Sequence, residues 1–139
     1  ADSMVGHKSP RHLHFGWAAA RLDDLLNLIP ARLSALIVCA ASWLLPGDDP
    51  IGAWRAMRRD ARHHPSPNAG WPEAAFAGAL GLAIAGPRVY HGELVEDHWM
   101  NEGGRPHGAA PDIRMALRLF VRACCAQAAL LIALIWLFG

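Results

Sequence analysis

The chain has 139 residues, 53% of them hydrophobic before its 13 glycines are counted, and a formal net charge of +1. Soluble domains average roughly 45–50% apolar residues with glycine included. The excess here, with a mean hydropathy of +0.16, points to one domain of a membrane protein with substantial polar loops. The near-zero charge excludes a nucleic-acid binder driven by bulk electrostatics.

Residues 1–20 read as a loop entering a helix, punctuated by Pro10 and Gly16. Residues 17–27 follow a helical period, with Leu22, Leu25, Leu26 and Ile29 on one side. Pro30 is expected to kink or interrupt this helix, and 33–45 continues it as an apolar run that stops at Pro46-Gly47. That run is short for a membrane span, which needs about 20 residues. Counting back to Leu25 reaches the length but draws Arg32 into the membrane or its edge, where it snorkels or faces a polar cavity.

Residues 46–72 form a polar insertion. Asp48-Asp49-Pro50 is a helix N-terminus, and 51–64 reads as a short basic helix carrying Arg55, Arg58, Arg59 and Arg62 against Asp60. The stretch Ser66-Pro67-Asn68-Ala69-Gly70-Trp71-Pro72-Glu73 holds two prolines and a glycine, so it is a shaped turn rather than a flexible linker. Residues 74–85 are apolar but too short to span easily. Their alanine and glycine content suits close helix packing or a re-entrant element.

Residues 87–112 read as a polar loop and 112–139 as the clearest helix. Its apolar part, 119–138, is the best spanning candidate, with Arg114, Arg118 and Arg122 towards its start and Trp136 suited to an interfacial aromatic belt. The expected class is therefore mainly α: a helical integral membrane protein with broken or re-entrant helices and polar loops. The positive-inside rule puts the arginine-bearing loops 46–72 and 87–118 in the cytoplasm if 74–85 dips in and returns. The rule leaves residues 1–32 undecided.

Cys39, Cys124 and Cys125 lie in apolar stretches and form no C-x-x-C pair, so they read as buried reduced thiols. His12 and His14 form H-x-H, with His7 nearby and His63-His64 further on, but no cysteine joins them at zinc spacing and no H-E-x-x-H occurs. Phosphate-loop and G-x-S-x-G motifs are also missing.

Several polar residues border the apolar runs. Arg21, Asp24 and Asn27 share a helix face at i, i+3 spacing, whereas Asp23 diverges from Asp24 by about 100°. Asp24 is either a Mg²⁺ ligand or half of a solvated Arg–Asp pair. Arg21 and Arg32 suit phosphate clamping, with membrane-edge anchoring the alternative for Arg32. Glu73 is a helix-terminus charge, a metal ligand, or the acceptor of a proton from an attacking amine. Asn68 is a turn former or a ligand contact.

The segments FGWAAARLDDLLNLIPARL (15–33) and SPNAGWPEA (66–74), with the opening Ala1-Asp2-Ser3-Met4-Val5-Gly6, resemble the adenosylcobinamide-phosphate synthase family (CobD/CbiB type) of cobalamin biosynthesis. The three motifs occur in the family's order and cover most of this chain, but only the family's C-terminal part. The chain opens on Ala1 rather than methionine, as a fragment missing the N-terminal membrane half would. The resemblance implies a multi-pass synthase of the bacterial inner membrane, in contact with lipid. It joins an amino-alcohol phosphate, such as aminopropanol phosphate, to adenosylcobyric acid, a corrinoid, using ATP and Mg²⁺.

On that reading Asp2, Asp23, Asp24 and Glu73 supply metal ligands or a base, Arg21 and Arg32 bind phosphate, and Asn27, Ser66 and Asn68 hold substrate. The chain departs from the family after Tyr90. Asp97-His98-Trp99-Met100-Asn101-Glu102-Gly103-Gly104 stands where relatives carry a short glycine-aspartate turn. Two competing classes are a transporter fragment or assembly subunit, since transporters also build sites at broken helices, and a metal-handling protein using its histidines.

Overall fold

The structure is a computed structural model and describes residues 13–44, 46–90, 93–95 and 97–139. Its elements in chain order are helix α1 (Leu13–Ser42), helix α2 (Pro50–Asp60), helix α3 (Gly70–Leu80), strands β1 (Ile84–Ala85), β2 (Arg88–Tyr90), β3 (Glu93–Val95) and β4 (Trp99–Met100), and helix α4 (Ala110–Phe138). A single 3-10 turn, Ala61–His63, extends α2.

The mainly helical class holds. Two helices, Gly16–Ser42 within α1 and Ala110–Phe138, are long and apolar enough to cross a membrane. Two sequence expectations change. Pro30 lies inside a continuous α1 instead of interrupting it. Proline removes one donor, but a 30-residue helix has ample hydrogen bonds on both sides to hold its course. The stretch read as a polar loop contains two small antiparallel pairings, Ile84 with Met100 and Arg88 with Val95. Strands of two or three residues are too short to show a period.

Helix α2 starts as its sequence dictates. Asp49 is the N-cap, its carboxylate accepts the Gly52 N–H at 2.8 Å, and Pro50 follows where a missing N–H costs nothing. Helix α3 begins at Gly70, four residues before its apolar run, because Pro72 is tolerated in a first turn. Gly81, at φ +62°, closes α3 in the left-handed conformation.

The core is built from small residues. Ala35, Ala41, Ala53, Ala75, Ala79 and Ala123 are buried with Val38, Cys39, Met57 and Leu119. Small side chains let backbones approach closely. The tightest approach is α2 on α3. A Cβ added at Gly78 would overlap the Gly52 carbonyl oxygen, and one added at Gly52 would sit 2.8 Å from the Gly78 carbonyl oxygen. The close packing read from the alanines and glycines of 74–85 is therefore present. Of the thiols, Cys39 is buried as expected, but Cys124 and Cys125 are exposed on α4.

Asp60 and Asn101 lock the β4 turn to the helices. The Asp60 carboxylate, 4% exposed, accepts Arg59 Nε at 2.6 Å, Arg59 Nη2 at 2.8 Å and the Asn101 backbone N–H at 2.7 Å. Asn101 Nδ2 donates to the carbonyls of Ala77 and Leu82 at the end of α3. Asn101 has φ +58°, a conformation asparagine tolerates better than most residues. The segment 97–104 thus has a definite structural role.

Burial alone would raise the Asp60 carboxyl, but the Arg59 and Asn101 hydrogen bonds overcome it and hold the group below the ordinary carboxylate value. A lowered folded-state value stabilises the fold above the unfolded carboxylate value of about 3.9, and that stabilisation is lost as pH falls through the folded value. Asp60→Asn should therefore destabilise the protein by about 1.5–3 kcal/mol at neutral pH, the usual worth of charge-assisted hydrogen bonds. The gap between variant and parent should close in acid. Denaturant unfolding at pH 7 and near pH 3 checks this, and a gap independent of pH contradicts it.

Candidate active site

The turn before α3 is folded by its own polar side chains. Ser66 Oγ accepts the N–H groups of Asn68 and Ala69, both at 3.3 Å, and the Ser66 N–H donates to His64 Nδ1 at 2.9 Å. Nδ1 is thereby an acceptor, which puts the neutral imidazole proton on Nε2. That nitrogen stands 3.6 Å from Glu73 Oε2, in the first turn of α3. His64 and Glu73 form an oriented pair, ionic only when the imidazole is protonated.

This turn packs on the middle of α1 at two points. Asn68 Nδ2 donates to the backbone carbonyl of Asp24 at 2.8 Å. The Arg32 guanidinium lies 4.5 Å from the centroid of the Trp71 ring, while its Nη1 donates to the Leu28 carbonyl at 2.6 Å. A cation–π contact and a backbone carbonyl hold Arg32 in place. Between these anchors, Asn68 is 9% exposed and its Oδ1 has no hydrogen-bond partner. A buried acceptor without a partner is costly and calls for an explanation.

The expected site residues are partly gathered. Asp24 pairs with Arg21 at 3.2 Å, the i, i+3 geometry of the solvated-pair reading, although the Asp24 side chain is only a quarter exposed. Arg21, Asp24, Arg32, Ser66, Asn68 and Glu73 all lie on α1 or on the turn packed against it. Asn27 turns back along α1 and donates to the Asp23 carbonyl at 3.0 Å. Ser66 spends its acceptor capacity on the turn, which leaves its hydroxyl proton for a ligand. Asp2, His7 and His12 lie outside the described residues.

The fit of Mg²⁺ rests on donor chemistry. The Asp24 and Glu73 carboxylates and the unpartnered Asn68 Oδ1 are hard oxygen donors of the kind Mg²⁺ takes. Among the described residues no three His, Cys, Asp or Glu side chains cluster as a complete metal cage. A Mg²⁺ that keeps its waters and rests on one or two carboxylates and a substrate phosphate needs no such cage.

The residue that sequence reasoning missed is His64. It stood in a histidine pair without a metal-site motif, yet its side chain is only 22% exposed and lies 3.6 Å from Glu73. The available signal was spacing: His64 and Glu73 flank the two-proline turn, which brings its ends together.

The family described as CobD/Cbib protein matches residues 1–120. The chain is 54% identical over 125 residues to the cobalamin biosynthesis protein CobD of Rhizobium meliloti (strain 1021), covering 89% of this chain and 38% of that protein. It is 52% identical over 130 residues to the protein of the same name from Sinorhizobium fredii, covering 93% and 40%. With the Rhodobacter capsulatus protein the figures are 45% over 137 residues, covering 97% and 42%. The chain thus spans about two-fifths of the length of the curated relatives it matches. No solved structure matches.

Proposed function

Because the chain belongs to the CobD/Cbib family, we propose that it is the C-terminal part of a membrane-embedded enzyme of cobalamin biosynthesis that forms an amide. The reaction joins the free carboxylate of adenosylcobyric acid to the amine of an amino-alcohol phosphate. A carboxylate is a poor electrophile at neutral pH. ATP therefore transfers its γ-phosphoryl group to it, giving an acyl phosphate and ADP. The amine attacks the acyl carbon, the C–O bond to phosphate breaks, and the products are the amide, inorganic phosphate and a proton.

The observation that carries this reading is Asn68: a buried side chain tied through Nδ2 to the Asp24 backbone carbonyl of α1, with Oδ1 unpartnered, on the same turn that carries the His64–Glu73 pair. In this assignment Oδ1 accepts a hydrogen bond from the substrate amine. Glu73, with the His64 Nε2–H towards it, takes the ammonium proton, which must leave before nitrogen can attack. Arg21 and Arg32 hold phosphate oxygens. Asp24 and Glu73 would hold Mg²⁺, which would supply charge neutralisation at the phosphoryl group.

The direct test gives the full-length protein in lipid nanodiscs adenosylcobyric acid, aminopropanol phosphate, ATP and Mg²⁺, and follows the product by mass. An amide product with one ADP released per bond supports the reading. ADP release without amide, or neither, overturns it.

The same reading places the chain in the inner membrane with its arginine-bearing loops in the cytoplasm, supported by the two long apolar helices and their exposed faces. In a full-length background with Cys39, Cys124 and Cys125 replaced, a cysteine at position 58 or 105 should resist a membrane-impermeant thiol reagent in intact cells. Both should react after permeabilisation. Labelling of both in intact cells contradicts the orientation.

A further inference from the structure

Two depressions that play no part in the proposed site meet at Trp54. One is an apolar groove of about 390 Å³ between α1 and the start of α2, lined by Leu36, Ala40, Trp43 and Ile51. The other is a cleft of about 430 Å³ on α2, lined by Arg55, Arg58 and Arg59. Trp54 lines both, with the Arg58 guanidinium 5.7 Å from its ring centroid.

Two of the three charges in the cleft are left without an ion pair among the described residues. Arg59 is committed to Asp60. Among the described residues neither Arg55 nor Arg58 has an ion-pair partner, and both are exposed. Trp43, Ile51 and Trp54 are exposed as well, at the end of the candidate span that closes at Ser42. Exposed tryptophans at the end of a span sit at the level of lipid headgroups. Guanidinium groups next to them face phosphate chemistry.

We propose that this composite surface binds an anionic glycerophospholipid, with its headgroup phosphate between Arg55 and Arg58 and one acyl chain in the Leu36–Trp43–Ile51 groove. Charge complementarity and the junction at Trp54 select that occupant. A soluble phosphate compound has no use for the groove, and a zwitterionic phospholipid brings a cationic headgroup that offsets its phosphate and is repelled by the two arginines. The inference rests on the membrane reading of the chain and is independent of the amide chemistry.

The test uses the full-length protein in nanodiscs made from equal parts phosphatidylcholine and phosphatidylglycerol, with the lipid retained on release measured by native mass spectrometry. Assembly into nanodiscs checks the membrane reading on its own. Phosphatidylglycerol should be retained in preference to phosphatidylcholine. Arg55→Gln/Arg58→Gln should weaken that preference on the order of tenfold, the effect of removing two basic groups at a membrane surface. Trp54→Ala should weaken it too, and Arg118→Gln, outside both depressions, should not. Equal retention of the two lipids, a double variant like the parent, or displacement of phosphatidylglycerol by inorganic phosphate alone would each overturn the proposal.

Discussion

Glu73→Gln, made in the full-length protein, should lower amide formation by about 10²–10⁴-fold, the usual worth of a positioned acid–base group, and Asp24→Asn, which removes a carboxylate assigned to Mg²⁺, should lower it as well, while membrane insertion stays normal in both. Both substitutions keep shape and remove charge. Asp24→Asn also frees Arg21, its partner at 3.2 Å, so phosphate binding is not lost with the carboxylate. Glu73→Gln removes the group facing His64 Nε2 and with it the proton acceptor. The alternative for both is modest: an exposed i, i+3 ion pair, and a helix-terminus charge worth about 0.3–1 kcal/mol. Turnover measured at saturating substrates separates the two, and near-parental rates in both variants would remove these residues from the chemistry.

Gly78→Leu should cost about 1–3 kcal/mol or more in stability, because the new side chain meets backbone and not a side chain that can swing away. The atoms in its path are the Gly52 carbonyl and the Ala53 Cα. Helices α2 and α3 would have to separate, which moves the Asp60–Asn101 lock and the turn carrying Asn68. Gly108→Leu is the matched control, since nothing lies within 4 Å of a Cβ there and its φ is ordinary. Thermal midpoints of the two variants in one detergent decide it. Equal midpoints would mean that the helices have room to part.

Much of the helical frame was legible in the residues. Asp49-Pro50 announced the start of α2, and the apolar period announced α4. Close packing of 74–85 was one of two readings of its small residues, and only the coordinates name α2 as the partner through Gly78 and Gly52. Pro30 misled because local propensity cannot weigh the rest of a long helix. The β pairings escaped because strands of two or three residues show no period, and the turn after β4 is held by Asp60, 41 positions from Asn101.

The candidate site was legible as residue types and not as partnerships. Asn68 was named as a ligand contact or a turn former, and the structure gives it a cross-chain hydrogen bond and an open oxygen. His64 was passed over because an imidazole's role depends on what each ring nitrogen faces, which no sequence window contains.

Helix α4 has a further consequence. Leu119 and Ala123 are buried, but from Gln127 onward every residue is exposed, with Ile135 to Phe138 at 68–88%. This last stretch keeps its peptide hydrogen bonds with few side chains packed over them. In water, isolated helices shorter than about 12–15 residues are marginal, so these amides would trade their protons for deuterium quickly. In hydrocarbon an opened peptide group finds no substitute partner, and the same amides would stay protonated. The deuterium uptake of this one segment therefore reports which solvent surrounds it, from the backbone alone.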